Sequence, residues 1–381
     1  MPAYNMNIYL DNNATTKTDS RVTEIMTQYV ESIYGNASSI HRIGIKASLG
    51  IENARNIIAS KINAFPEEIY FTSGGTESNN WALKGVYNAN KDKGNHIIVS
   101  SIEHPSILET TKWLAKNNAK ITYLPVDKIG FVKIEDVRKA ISKKTILVSV
   151  MHCNNEVGTI EPIEEIGKLC RKNNLIFHSD ACQSFTKIKI DVIKQNINLL
   201  SLNAHKIHGP KGIGALFIKK GTPIEPFMHG GGHENGQRAG TYNSPAIVGF
   251  GKAVEIAKEQ ENTNIKNMRD YFISEINKRL SCYTLHGTVG NQRICNNINI
   301  SFNNISGKSL FTELNKRGIY ISTGSACSSN NLEPSYVLTA MGICEKVAHE
   351  AIRISLSKWT TLEEIDTTIN NVCNIVNSIR K

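Results

Sequence analysis

The chain has 381 residues, about 40% of them hydrophobic, enough to bury a substantial core and to divide into two domains. No apolar run approaches the roughly 20 residues of a membrane helix. The N-terminal MPAYNMNIYLDNNATT has no basic patch followed by an apolar stretch, so the expected compartment is cytoplasmic. A formal net charge of +10 would suit an anionic partner, but Lys and Arg are dispersed without a long basic run, so a basic soluble enzyme is expected rather than a direct nucleic-acid binder.

In chain order, the periodicity predicts a helix over 47–62 and strands over 69–71, 96–101, 146–152, 175–178, 199–202 and 215–218, with a helix over 163–172 entered at Pro162. Strands alternating with helices predict a parallel sheet covered on both faces. A long helical stretch follows over 247–280. The pattern then changes to a strand over 297–302, a helix over 308–317, a strand over 319–322, and a strand over 351–356. A last helix opens on a capping box of Thr361 and Glu364. This predicts a large domain over 16–260 and a smaller α+β domain over 1–15 and 261–381. Eight cysteines, at 153, 170, 182, 282, 295, 327, 344 and 373, form no CxxC pair, which argues against a zinc ribbon or a disulfide framework. No metal site is expected.

In open α/β sheets ligands bind beyond the carboxyl ends of the strands, and the residues there form a set. After the first strand, TSGGTESNN offers glycine-freed N–H groups, Gly75 and Thr76 at a helix start, a cradle for phosphate. Glu103-His104-Pro105 brings an imidazole to the same edge. Asn154-Asn155-Glu156 and Asp180-Ala181-Cys182-Gln183 bring amides and acids. Asn203-Ala204-His205-Lys206-Ile207-His208 puts a lysine between two histidines, where neighbouring positive charge pulls an amine pKa down. Each alone has an ordinary reading: a glycine turn, a surface histidine, a helix cap, a basic loop. Together they are what a protein supplies to pyridoxal phosphate, namely a phosphate cradle, a stacking imidazole, an acid for the ring nitrogen and a lysine that tethers the cofactor.

The succession YLDNNATT, GNASSIHRIG, FTSGGTESNN, EHPS, NNEVGTIEPI, HSDACQS, AHKIHGPKGIG, GGGHENGQRAGT, STGSACSSNNLEPSYVL and IRISL resembles the NifS/IscS-type pyridoxal-phosphate-dependent cysteine desulfurases. These belong to the class-V aminotransferase-like group with a long mobile cysteine loop. The resemblance implies a fold-type I transferase with a mostly parallel seven-stranded sheet in the large domain. It implies Lys206 as the tethering lysine, His104 on the ring and handling the substrate thiol proton, Asp180 on the ring nitrogen and Gln183 on the ring oxygen. Gly75, Thr76, Asn203 and His205 fall at the phosphate, and Thr241 would reach it from the neighbouring subunit of a homodimer. Asn155 and Arg353 would bind the carboxylate of L-cysteine, although Arg353 by itself also reads as a strand-edge arginine in a salt bridge. Cys327, in STGSACSSNN, falls on the persulfide-forming position.

Four positions depart from the family pattern. Asn203 stands where serine is common, Cys182 where Ala or Thr is common, and Asn13 and Gly75 where Ala is usual. The chain ends at Lys381 without the longer tail that some relatives use to dock an iron–sulfur scaffold, so the implied sulfur acceptor is such a scaffold or a tRNA thiolase. A selenocysteine lyase or another fold-type I enzyme is the alternative within enzymes. A non-catalytic sulfur-relay or RNA-binding protein is the alternative outside them.

Overall fold

The computed structural model describes residues 7–323 and 333–380. Its strands are β1 (Ile8–Tyr9), β2 (Ile69–Thr72), β3 (His96–Ser100), β4 (Lys120–Leu124), β5 (Thr145–Ser149), β6 (Ile176–Asp180), β7 (Leu199–Asn203), β8 (Gly214–Ile218), β9 (Tyr283–Leu285), β10 (Asn297–Phe302), β11 (Ile319–Tyr320) and β12 (Ala351–Ser355). Seven make the central sheet, in the order β2-β8-β7-β6-β5-β3-β4. Four neighbouring pairs, β7 to β6, β6 to β5, β5 to β3 and β3 to β4, are parallel. Side chains alternate between two buried clusters on its faces. Ile98, Leu200, Leu202, Ala215 and Phe217 point to one, and Ile97, Val99, Leu199, Leu216 and Ile218 to the other.

β8 departs from the parallel pattern, pairing antiparallel with both β7 and β2. The cause is the length of the connection: residues 204–213 are too few for a crossover helix, so the chain reverses directly. Because β2 is antiparallel to β8, it runs with β7, and the C-terminal ends of β2, β3, β5, β6 and β7 share one edge. β4 was not among the predicted strands. Its KITYL alternates weakly and is half exposed at the sheet margin, so it lacks the continuous apolar run of a central strand.

The stretch over 247–280 is two helices, Ser244–Glu255 and Glu259–Arg279, rather than one. Ile247, Phe250, Ala253 and Val254 pack into the core of the large sheet. Ile265, Phe272 and Ile276 pack into a separate cluster with Ile8, Leu10, Ile298, Ile352 and Ile369. One straight helix could not present both faces, and the chain turns at 256–258. The second cluster lies on an antiparallel sheet of β9, β10 and β12, with β1 and β11 paired parallel beside it. Among the described residues no helix is long and apolar enough to cross a membrane.

Candidate active site

Asp180 ends β6 and is 6% exposed. Asn79 Nδ2 donates to its Oδ2 at 2.7 Å and the Cys182 N–H to its Oδ1 at 2.9 Å. Burial works to raise the Asp180 pKa, but His104 and these hydrogen bonds outweigh it and hold the carboxyl below its ordinary value. His104 lies at the N-terminus of helix Pro105–Lys116, and its Nδ1 accepts from the Ser106 N–H at 3.1 Å. Burial and then the charge of Lys206 push the His104 pKa down, with Asp180 opposing.

The β7–β8 connection carries His205 and Lys206, and the N-terminal NNATT segment clamps it. Thr16 pairs with the carbonyl of His205 through both its N–H and its Oγ1, at 3.0 and 2.8 Å, while Thr16 Oγ1 accepts from the His208 N–H at 2.9 Å. His205 Nδ1 lies 3.1 Å from Thr15 Oγ1, and burial, followed by Lys206 and Lys211, pushes its pKa down to about 4. Behind the loop, Lys187 donates to the carbonyls of Gln183 and Lys206 at 3.0 and 3.1 Å, and burial lowers its pKa to about 8. Gln183 in turn donates to Asn13 O at 3.0 Å.

Helix Gly75–Ala89 starts on Gly74, which has no side chain to cap the first turn, so its N-terminal N–H groups remain available to an anion. Exposed Thr76 and part-buried His205 belong to this side of the group. Opposite, Arg353 in β12 is 1% exposed. Its Nη2 meets Asp11 Oδ1 at 2.8 Å and its Nη1 donates to Asn155 O at 3.3 Å. Asn13 Nδ2 donates to the same carbonyl at 3.1 Å.

Cys327 lies outside the described residues. The chain flanking 324–332 is anchored at the Arg353 side: Ser322 and Arg353 exchange backbone hydrogen bonds at 3.0 and 2.7 Å, and Ser335 Oγ donates to Glu156 beside Asn155. Thr241 is exposed and, among the described residues, makes no side-chain hydrogen bond to the cluster. Its segment is pinned by Arg238 to Glu77 at 2.8 Å, and by Glu234, which is buried against Arg55 at 2.8 Å and the Phe71 N–H at 2.7 Å.

Three of the four departures from the family pattern touch one another. A Cβ at Gly75 would stand 2.5 Å from the Cys182 sulfur and 3.7 Å from Asn203 Nδ2. Gly75 thus makes room for the larger Cys182. Asn13, the fourth, bridges the amides of Asn155 and Asn296. Sequence reasoning passed over Asp11, Asn79, Ser106 and Lys187. All but Lys187 lie inside the quoted motifs, but nothing in their spacing says what they touch.

The class-V aminotransferase family model matches residues 8–368. The cysteine desulfurase IscS of Methanosarcina thermophila is 48% identical over 99% of this chain and 93% of that protein, and IscS of Clostridium botulinum strain Hall is 46% identical over 99% and 96%. A solved NifS-like protein superposes with a TM-score of 0.92 at 40% identity, covering 98% of this chain and all of that one. SspA, solved in complex with cysteine, gives 0.84 at 37% identity over 93% of this chain and all of that one. With matches of this extent, the chain belongs to the class-V aminotransferase family, in its cysteine desulfurase branch.

Proposed function

We propose that the chain is a pyridoxal-phosphate-dependent cysteine desulfurase, which takes the sulfur of L-cysteine and releases L-alanine. The observation that carries this reading is the meeting of Asp180, Gln183, His104 and Lys206 at one sheet edge with Arg353 facing them. The residues fit the cofactor. Among the described residues Arg353 Nε is buried in this group without a hydrogen-bond partner, a donor that is costly to leave unmet and that a carboxylate would satisfy. The uncapped helix at Gly75 matches a phosphate.

Bound there, pyridoxal phosphate supplies a carbonyl for tethering and a protonated ring that stores the electron pair left when a proton leaves the substrate Cα. Lys206 would hold the cofactor and move that proton. Asp180 would keep the ring nitrogen protonated, and Gln183 would donate to the ring oxygen. Thr76, His205, Asn203 and the N–H groups after Gly74 would hold the phosphate. Arg353 and Asn155 would orient the substrate carboxylate, the guanidinium through two parallel donors. At Cys327 an S–S bond would form as the substrate C–S bond breaks; the C–S electron pair stays with the carbon skeleton, which takes one proton at Cβ, regains one at Cα from Lys206 and leaves as alanine. The persulfide then passes to a protein acceptor, an iron–sulfur scaffold or a tRNA thiolase.

The same reading gives a homodimer in which Thr241 serves the neighbouring site. Exposed Val30, Tyr34, Ile40, Ile45 and Leu49 support a partner copy against this part of the chain. It also divides the chain into 16–260 and a smaller part of 1–15 with 261–381, supported by the packing of Leu10 among C-terminal residues. The test is alanine release from L-cysteine by protein reconstituted with pyridoxal phosphate. A yellow protein that releases no alanine would sink the reading.

A further inference from the structure

Four side chains at the sheet edge form one hydrogen-bonded row. Asp180 Oδ2 accepts from Asn79 Nδ2 at 2.7 Å, the same Nδ2 lies 2.8 Å from Ser106 Oγ, and Ser106 Oγ lies 2.8 Å from His104 Nδ1. The direction of the first two bonds follows from one end. A carboxylate only accepts, so the Asn79 amide must present its NH2, and its second hydrogen then goes to Ser106 Oγ. The hydroxyl keeps one hydrogen and lies 2.8 Å from His104 Nδ1, so it is able to donate to that nitrogen.

A second observation decides the state of Nδ1. His104 is the N-cap residue of helix Pro105–Lys116, and its Nδ1 accepts from the Ser106 backbone N–H at 3.1 Å. Pro105 has no N–H, so this is the first donor the helix offers. A proton on Nδ1 would break the cap and set a cation against the positive end of the helix. The charged groups that face His104 are Lys206 from the β7–β8 connection and Asp180 from the end of β6. The neighbouring Glu103 turns its carboxylate away, to Ser100 Oγ at 2.6 Å and the Met151 N–H at 2.7 Å.

We propose that Asn79 and Ser106 are positioning residues that hold His104 as the neutral tautomer with its proton on Nε2, so that His104 meets the substrate as a hydrogen-bond donor. Its Nδ1 lone pair is engaged at the helix N-terminus, which leaves Nε2 to face a ligand. This rests on the reading of the site as a cysteine desulfurase, but its structural part is a property of the protein alone.

The test is therefore read first without cofactor. Nitrogen-15 NMR of ring-labelled histidines in the apoprotein, with His104 assigned through His104→Gln, reports tautomer and charge. The expected wild-type result is a neutral ring protonated at Nε2 from about pH 6 to about pH 8. Asn79→Ala should raise the His104 pKa by about one unit and mix the tautomers, and Ser106→Ala should do the same less strongly, the backbone N–H remaining. A wild-type ring that is cationic near neutral pH, or that carries its proton on Nδ1, overturns the proposal. So does an Asn79→Ala spectrum identical to wild type, whatever its melting temperature.

In the loaded enzyme, Asn79→Ala should lower kcat for alanine release about tenfold with KM little changed, and the acid limb of the pH profile should move. Loss of stability without movement of that limb would make Asn79 a structural residue and refute its positioning role. Absent alanine release with the Nε2 tautomer intact would remove the desulfurase reading and leave the tautomer lock standing.

Discussion

The two charged ends of the site are built differently. Asp180 is an anion stabilised by neutral donors, an amide at 2.7 Å and a backbone N–H at 2.9 Å, both fixed by the elements that carry them. Arg353 is a cation held by the carboxylate of Asp11 at 2.8 Å, with one carbonyl and an Nε that has no partner among the described residues. An anion surrounded by dipoles keeps its full charge for a cationic partner that enters later and stays. A buried cation resting on one carboxylate at the solvent side, with the Asp11 side chain 19% exposed, has donors left to give to a second carboxylate that comes and goes. The first arrangement suits a resident ring and the second a substrate.

The comparison breaks most severely at the anion. Asp180→Asn keeps the shape but removes the charge, and the expected loss in kcat for alanine release is about 10³-fold, with the protein still folded by circular dichroism. The same variant tests acid stability. The folded pKa of Asp180 is depressed, so its contribution is present above the ordinary carboxylate pKa and is lost as pH falls through that range. Acid unfolding of Asp180→Asn should therefore depend less steeply on pH than that of wild type, and an unchanged slope would contradict the depressed pKa.

At the cation the effects are smaller and fall on binding. Arg353→Lys keeps the charge but loses the paired donors, and KM for L-cysteine should rise about 30-fold with kcat moving less. Asp11→Asn leaves Arg353 buried without its ionic partner. The melting temperature should drop, by the equivalent of about 1–3 kcal/mol, and KM should rise less than for Arg353→Lys because the guanidinium remains. Equal KM changes in both variants would mean that Asp11, and not the arginine geometry, sets substrate binding.

How much of this could be read from the sequence depends on whether a residue acts by its position on the chain or by its neighbours. Asp180, His104, Asn155 and Lys206 each follow an apolar strand, so strand prediction alone brought them to one edge. Asn79 lies 101 residues from Asp180 and 27 from Ser106, and a single sequence carries no sign of which distant side chains meet. The reversal at β8 was legible in principle, since ten residues between two strands cannot hold a crossover helix, but apolar pattern alone does not report strand direction. The break at 256–258 was hidden because both helices keep the helical period and differ only in which core they face.

The same limit explains why Gly75, Cys182 and Asn203 read as three unrelated departures, and they provide the finest test of the anion end, because Cys182 donates to Asp180 through its N–H and its thiol. A methyl at position 75 would meet the Cys182 sulfur at 2.5 Å, closer than real contacts allow, and the Cys182 side chain is buried, so it cannot move aside freely. Gly75→Ala alone should destabilise by about 1–3 kcal/mol through overpacking and weaken cofactor retention. Cys182→Ala alone should cost about 1–2 kcal/mol for the cavity it leaves. In the double variant the new methyl occupies the space the sulfur vacates, so the combined loss should be smaller than the sum of the two, with a coupling of about 1 kcal/mol or more measured by denaturant unfolding. Additive losses would show that the glycine and the cysteine are independent. Asp180 would then owe nothing to the packing of the cradle, and its neutral donors would be held by their own elements alone.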